Sequence, residues 1–406
     1  MANKNLQIAL LGFGVVGSGT AQVITENQDR IRQATGRGID IRYILDLREF
    51  PDSPFADRIV HDFSVIVDDP EVDVVVEMMG GSHPAYEFSR AALMAGKHVV
   101  TSNKEVVANF GTELLSLAAK NGVRYLFEAS VGGGIPVLRP LSRDLAANRV
   151  LAIDGILNGT TNYILTRMME GGVSFDTALC EAQSLGYAEK DPTADVDGPD
   201  AARKIVILAA LSTGLRIDPN TISMQGIRSI TTAHVAAAAA FGCAVKLIGH
   251  MSYDADTDRI DIWVAPCFVP EGHPLYAISD VFNGVLIETD MLGRTLFYGR
   301  GAGKLPTAGA VVSDLTDIAL SPTAPARRWQ DAPAERIAPA AEQRTPVCLI
   351  LEGAKLPSVP AGVSAVSLPE NNCCAVLLPA MTEAEADAFA AACGRALVAR
   401  YRCLSL

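Results

Sequence analysis

The sequence predicts an α/β protein built from an N-terminal doubly wound (Rossmann) parallel sheet, a middle α+β layer and a small C-terminal βββαβ unit. Three observations predict it. A glycine-rich turn, Gly12-Phe13-Gly14-Val15-Val16-Gly17, stands between an apolar strand and a helix. Strand and helix patterns then alternate as far as residue 131. The alternation stops at the glycines 132–134 and Pro136, beyond which the apolar segments are spaced differently.

Residues 7–11 read QIALL, a continuous apolar run suited to a strand buried on both faces, and the glycine turn and a helix over 20–32 follow. The run IDIRYILDL predicts a strand over 39–47 and VDVVVEM another over 72–78, with 57–70 too short and mixed to assign. A helix over 84–95, a strand at 98–101, a helix over 105–121 and a strand at 124–128 complete the alternation, which implies a parallel sheet with helices on both faces. The middle part predicts a strand at 151–157, helices over 161–170, 175–185 and 201–212, and strands at 260–264, 285–290 and 295–299, a largely antiparallel layer. A helix over 305–319 follows. Residues 321–346 carry proline, alanine and charge without an apolar period and read as a linker. Strands at 347–351, 363–367 and 374–378, a helix over 383–397 and a strand at 400–405 close the chain. The expected division is therefore 1–135 with 305–320, then 136–304, the linker 321–346, and 347–406.

The chain's 406 residues exceed the roughly 250 to 300 that one core supports. With 49% hydrophobic and 20% charged residues and no run of about eighteen apolar residues, the composition is that of a soluble protein with no membrane span. A net charge of −12 with no basic stretch argues against nucleic acid as a partner. The apolar start is broken by Gly12, Gly14 and Gly17 and has no small-residue cleavage site, so it reads as a first strand and not as a leader. The eight cysteines all lie at or beyond Cys180 without metal-site spacing and read as small buried thiols in a reducing, cytoplasmic setting.

Four clusters carry chemistry. In the turn, Gly12, Gly14 and Gly17 let backbone N–H groups approach a pyrophosphate at the positive end of a helix, although a purely steric glycine turn or a methyltransferase-like cofactor fits the same pattern. Asp46, at the end of the second strand, suits the ribose hydroxyls of NAD, and Arg48 suits the additional phosphate of NADP, so both cofactors stay open. Thr101-Ser102-Asn103-Lys104 closes a strand at the end where such sheets bind ligands; Lys104 there can meet a carboxylate or a proton, or be a solvated surface lysine. Next comes Gly186-Tyr187-Ala188-Glu189-Lys190-Asp191-Pro192, with Asp195, Asp197 and Pro199-Asp200 before Lys204. Pro199 suits a helix start, which puts Asp200 and Lys204 one turn apart on a helix that continues as IVILAALS. A lysine on so apolar a helix needs a reason: burial opposes its charge, Asp200 favours it, and the balance leaves an amine able to exchange a proton near neutral pH. Glu189, Asp195 and Asp200 together suit a substrate ammonium, or else a cation or solvent. Last, Glu128 precedes the turn Val131-Gly132-Gly133-Gly134-Ile135, where a carboxylate and exposed carbonyls suit a group I or II cation or form a plain turn.

These clusters, in this order, resemble homoserine dehydrogenases. GGSHPAYEFSRAALMAGKHVVTSNKEVVA, EASVGGGIPVLRPL, DGILNGTTNYILTRM, LGYAEKDPTADVDGPDAARKIVILA and FYGRGAGKLPTAGAVVSDLTDIA resemble that family's signature segments, across about residues 7 to 320. The resemblance implies NAD(P)-dependent interconversion of L-homoserine and L-aspartate 4-semialdehyde in threonine, methionine and isoleucine biosynthesis. It implies that Lys204 is the acid/base, that Lys104 assists at the substrate, and that Glu189 and Asp200, with Asp195 nearby, bind homoserine. Phe13, Val15, Val16, Gly80, Thr101, Gly186 and Gly301 match positions lining the cofactor. Glu128 and the carbonyls of Val131, Gly133 and Ile135 match a monovalent-cation site, usually assigned to sodium. The family's middle sheet pairs with that of a second subunit, which implies a homodimer or homotetramer. Many relatives end in an ACT domain; VCLILEGAKLPSVPAGVSAVSLP leaves no room for its first helix, so a reduced ACT-like unit is expected. A phosphorylating semialdehyde dehydrogenase would need a cysteine nucleophile, and none precedes Cys180. A non-catalytic nucleotide-binding regulator would have replaced Lys104, Lys204 or Asp200, and all three are present.

Overall fold

Six parallel strands in the order β3-β2-β1-β4-β5-β6 form the first sheet of the computed structural model, which describes residues 4–323 and 327–405. They are β1 (Leu6–Leu11), β2 (Ile39–Leu45), β3 (Ile59–Val60), β4 (Val74–Glu77), β5 (His98–Thr101) and β6 (Tyr125–Leu126). β1 and β4 are adjacent, with Ile8 opposite Val74 and Leu11 opposite Glu77, so the strand order reverses between them and a crevice opens at their carboxyl ends. Both are apolar runs because helices cover both faces.

The helices of this sheet are α1 (Val15–Glu26), α2 (Gln28–Thr35), α3 (Ser64–Val67), α4 (Ala85–Met94) and α5 (Lys104–Lys120), then the short α6 (Leu138–Ser142). The single helix expected over 20–32 is two helices. Asn27 ends α1, its backbone N–H and its side-chain Nδ2 both donating to the Val23 carbonyl at 3.1 Å. Gln28 opens α2 with its amide bonded to both backbone groups of Ile39. The helix also starts earlier than expected, at Val15. A Cβ on Gly17 would sit 2.1 Å from the Gly12 carbonyl, and one on Gly19 would sit 2.9 Å from the Lys304 carbonyl at the start of the helix Lys304–Leu320. The strand expected over 124–128 ends at Leu126, and Glu128–Ser130 turns as a single 3₁₀ turn.

The described residues within Met1–Ala147, Val206–Asp218 and Gly299–Ala332 make up this first compact unit; the second comprises those within Asn148–Ile205, Pro219–Tyr298 and Pro333–Leu406. The second unit is built on one mixed sheet. In spatial order its strands are Gly293–Arg300, Phe282–Thr289, β7 (Val150–Ile156), Cys243–Asp254, Arg259–Pro270, Leu397–Cys403, Thr345–Glu352, Cys373–Met381 and Ser364–Leu368. From Phe282–Thr289 onward the pairing is antiparallel except where Leu397–Cys403 and the two-residue strand Ser223–Met224 run parallel to Arg259–Pro270. On this sheet lie α7 (Gly159–Gly171), α8 (Phe175–Ser184), α9 (Thr193–Val196) and the start of α10 (Pro199–Thr213). Gly249 lets α10 come close: a Cβ there would lie 3.2 Å from Ile205 Cβ.

The C-terminal order is βββαβ as expected, with residues 353–363 holding no helix. Its last strand continues the middle sheet, Cys267 pairing with Arg402 and Phe268 with Cys403. The helix expected over 383–397 stops at Ala392, because Gly394 takes φ +65° and Leu397 already begins that strand. The segment read as a linker is docked. Gln330–Asp331 pairs with Leu215–Arg216, and buried Trp329 packs 5.5 Å from Phe127. All eight cysteines are free; six are buried, Cys393 is half-buried and Cys180 is exposed. Among the described residues no helix is long and apolar enough to cross a membrane.

Candidate active site

In the first unit the crevice is lined by three loops. Gly12, at φ +91°, closes β1 by donating its N–H to the Leu45 carbonyl (2.8 Å). Gly14 precedes α1 and provides no side-chain cap, so the first N–H groups of the helix point out unsatisfied, with open space above Gly14 itself. That cradle fits a pyrophosphate, and the 2.1 Å approach at Gly17 explains why a side chain there would close it. Asp46 does not wait for a ligand: its Oδ2 accepts from Phe13 N (2.8 Å), and Arg48 grips both its oxygens at 2.9 Å. The Arg48 guanidinium beside it holds the Asp46 carboxyl well below the usual range.

The second loop follows β4 and the third follows β5, and a residue the sequence reading passed over joins them. Glu77 is fully buried. Its Oε1 accepts from Met79 N (2.7 Å) and its Oε2 from Thr101 Oγ1 (2.5 Å). Thr101 Oγ1 accepts in turn from Asn103 N (2.9 Å), while Asn103 caps α5 and donates Nδ2 to the Gly81 carbonyl (2.7 Å). Burial raises Glu77 to about 7. This chain of bonds sets exposed Gly80 and half-buried Lys104, the first residue of α5, on connected supports. A carboxylate at the end of an apolar run, VVVE, was the available signal.

Glu128 is buried, and its carboxylate is the cap of α6: Oε1 accepts from Val137 N and Leu138 N (2.8 and 2.9 Å) and Oε2 from Arg139 N (2.8 Å). Burial raises its pKa against these bonds. The following turn has Gly132 at φ +76° and Gly133 at φ +54°. A Cβ on Gly133 would lie 2.3 Å from the Gly301 carbonyl, so this glycine allows a close backbone approach. The carbonyls of Val131, Gly133 and Ile135 accept no hydrogen bond among the described residues. Carbonyls without a donor and a carboxylate are oxygen ligands of the kind a hard monovalent cation takes.

In the second unit, β7 ends at Ile156, and Leu157 and Asn158 lead into α7. Lys204 Nζ donates to the Leu157 carbonyl and to Asp200 Oδ2, both at 2.7 Å. Asn158 was the second residue not singled out from sequence, although an Asn between strand and helix is an N-cap signal. Its Oδ1 accepts from Thr161 N (2.9 Å) to cap α7. Its Nδ2 donates to Asp195 Oδ1 (2.7 Å) and Asp200 Oδ2 (2.9 Å). Lys204, Asp200 and Asn158 are buried and Asp195 is half-buried, so the carboxylates are held at the edge of solvent. Glu189 and Gly186 lie exposed on the loop after α8, and among the described residues no bond ties the Glu189 carboxylate into this cluster.

A helix N-terminus left open at the switch point of a parallel sheet, and a buried lysine–aspartate pair at the end of a strand in a second unit, define a nicotinamide-dependent dehydrogenase. The profile of the homoserine dehydrogenase NAD-binding domain matches residues 12–128, and that of homoserine dehydrogenase matches 136–316. The chain belongs to the homoserine dehydrogenase family. It is 44% identical over 318 residues to the homoserine dehydrogenase of Synechocystis sp., covering 77% of this chain and 73% of the relative. It is 41% identical over 321 residues to that of Bacillus subtilis, covering 78% and 73%. The crystal structure of a homoserine dehydrogenase from Thiobacillus denitrificans superposes with a TM-score of 0.90 at 34% identity over the whole of both chains. A hyperthermophilic archaeal homoserine dehydrogenase mutant in complex with NADPH gives 0.68 at 29% identity, over 80% of this chain and all of that one. The activity is the reversible, NAD(P)-dependent interconversion of L-homoserine and L-aspartate 4-semialdehyde in amino-acid biosynthesis.

Proposed function

We propose that Lys204 is the acid/base of this reaction. The observation that carries it is the double contact of Nζ with Asp200 and the Leu157 carbonyl, which aims one buried amine. In homoserine oxidation the Lys204 amine takes the C4 hydroxyl proton; in aldehyde reduction the ammonium returns it. Nicotinamide supplies the hydride acceptor in one direction and the donor in the other. Asp195 and Asp200, braced by Asn158, receive the substrate ammonium together with Glu189, and Lys104 meets the substrate at the end of β5. Gly12, Gly14 and Gly17 present the α1 N–H groups to the pyrophosphate, and Phe13, Val15, Val16, Gly80, Thr101, Gly186 and Gly301 line the cofactor. The test follows nicotinamide absorbance with homoserine. Lys204→Ala should lower kcat by about 10² to 10⁴ while leaving cofactor affinity unchanged. Full activity in that variant would remove the assignment.

Arg48 sets the choice between cofactors: it leaves Asp46, which stays on Phe13 N, to meet the 2′-phosphate of NADP. Arg48→Ala should raise the KM for NADP about tenfold relative to NAD, the worth of one charge-assisted bond. An equal change for both cofactors counts against this role. Glu128 with the carbonyls of Val131, Gly133 and Ile135 holds a monovalent cation, sodium by its hard oxygen donors. Replacing sodium by choline at constant ionic strength should lower Tm and activity together, and no change would leave the turn without that ion. The assembly is a homodimer or homotetramer through the edge strand Gly293–Arg300. Support comes from its exposed apolar residues Leu296 and Tyr298 with Met291 and Leu292 nearby, a row a lone edge strand rarely leaves bare. The free thiols suit the cytoplasm.

A further inference from the structure

In the first unit a cavity of about 480 Å³ lies between β6, α5, α6 and the helix Lys304–Leu320, away from the glycine turn. Leu115, Ala118, Val123 and Leu138 give it an apolar wall, and four arginines face the rest. Arg124 is satisfied, donating to the Asp317 and Ser321 carbonyls (3.0 and 2.7 Å) and to Asp317 Oδ2 (2.6 Å). Arg139 is satisfied by Ser313 Oγ (2.6 Å) and Asp314 Oδ1 (2.8 Å). Among the described residues Arg143 has only the oxygen that Arg124 already uses, Asp317 Oδ2 at 2.8 Å. Arg327, half-buried, has no hydrogen bond or ion pair among the described residues.

Charge does not balance in this cavity. Its lining has three carboxylates, Glu128, Asp314 and Asp317, against four guanidinium groups, and Asp314 and Asp317 are each already held by arginine. At least one guanidinium is left over, and a guanidinium does not shed its proton to escape burial. The Arg327 pKa is pressed down by desolvation and then by neighbouring Arg143, which Asp314 and Glu128 only partly offset. A planar fork of donors at Arg327 without a partner among the described residues, spare donors on Arg143, and an apolar wall in the same cavity are the components of an oxyanion site of small-molecule size.

We propose that this cavity binds a small oxyanion, a carboxylate or phosphate, through Arg327 and Arg143, with any hydrocarbon part of the ligand against Leu115 and Leu138. The site stands apart from the acid/base assignment and does not depend on it. Protein saturated with its nicotinamide cofactor, so that the glycine turn is filled, is titrated calorimetrically with sodium phosphate, sodium butyrate or sodium chloride at matched ionic strength, and Tm is followed in parallel. Phosphate or butyrate should bind at one site per chain and raise Tm beyond chloride. In Arg327→Gln that binding should weaken at least about tenfold, with KM for homoserine and cofactor unchanged. Binding by phosphate alone identifies a phosphate-bearing ligand, and by butyrate alone a carboxylate with an apolar part. Should Arg327→Gln not fold, Arg143→Gln must show the same loss. No binding by either anion, or binding untouched by both variants, overturns the proposal.

Discussion

One amide at Asn158 serves both the fold and the site. It caps α7 and holds Asp195 and Asp200, so Asn158→Ala should cost about 1 kcal/mol of stability for the cap and raise the KM for homoserine, measured by melting and steady-state kinetics. Lost stability with an unchanged KM would reduce Asn158 to a cap. Glu77 makes a pH prediction. Its folded pKa of about 7 lies above the ordinary 4.5, so between those values the folded protein holds a proton that the unfolded chain has released. Stability from this group is complete below pH 4.5 and is lost as pH rises through about 7, with a slope of at most about 1.4 kcal/mol per pH unit. Asp314, pushed by burial to about 7, has the same sign. Glu77→Gln should therefore flatten, without abolishing, the fall in denaturation free energy across that range; an unchanged slope would mean that Glu77 is ionised in the fold. Lys204 and Asp200 were legible in sequence because a charge pair opening an apolar helix demands a partner. Asn158 and Glu77 were not, since what they hold lies 42 and 24 residues further along the chain.

At the scale of elements, period and glycine placement served well where one rule applied. The run at residues 98–101 coincides with β5, and Pro199 opens α10 as expected. Cys243–Asp254 went unread because its first seven residues are buried on both faces, which erases the alternation that marks a strand. α1 begins at Val15 and not at residue 20: Gly17 and Gly19, costly in a helix by propensity, here admit contacts a Cβ would block. This makes Gly17→Ala a test of the turn. A Cβ 2.1 Å from the Gly12 carbonyl forces β1 and α1 apart, so cofactor affinity should fall by at least about tenfold, read by fluorescence titration. Gly14→Ala meets nothing within 4 Å and should keep most of the fold's stability, so equal Tm losses in the two variants would contradict this account.

At the scale of the whole molecule, the question is whether the C-terminal unit unfolds by itself. Its own core, with Leu349, Leu351, Val376 and Ala386, suits a separate domain, and composition alone suggested one. The strand Leu397–Cys403 argues otherwise. Tyr401 is buried, stacks on Phe268 at 4.8 Å between ring centroids and bonds His234 Nδ1 at 2.7 Å, while Arg402 lies over the Trp263 ring at 4.7 Å. These contacts reach one strand of the middle sheet, Arg259–Pro270, and the helix Thr232–Ala240, and sequence could not anticipate them because 133 residues separate Phe268 from Tyr401. A buried aromatic cut to alanine costs about 3 to 5 kcal/mol. If the sheet melts as one body, Tyr401→Ala should therefore shift the whole unfolding transition of the second unit downward. Hydrogen exchange should then show the Arg402 and Leu404 amides opening with those of Arg259–Pro270 in the wild type. An early, separate transition in the variant, with the middle strands still protected, would mean that the last sixty residues are an appended domain and that the shared strand is only a docking contact.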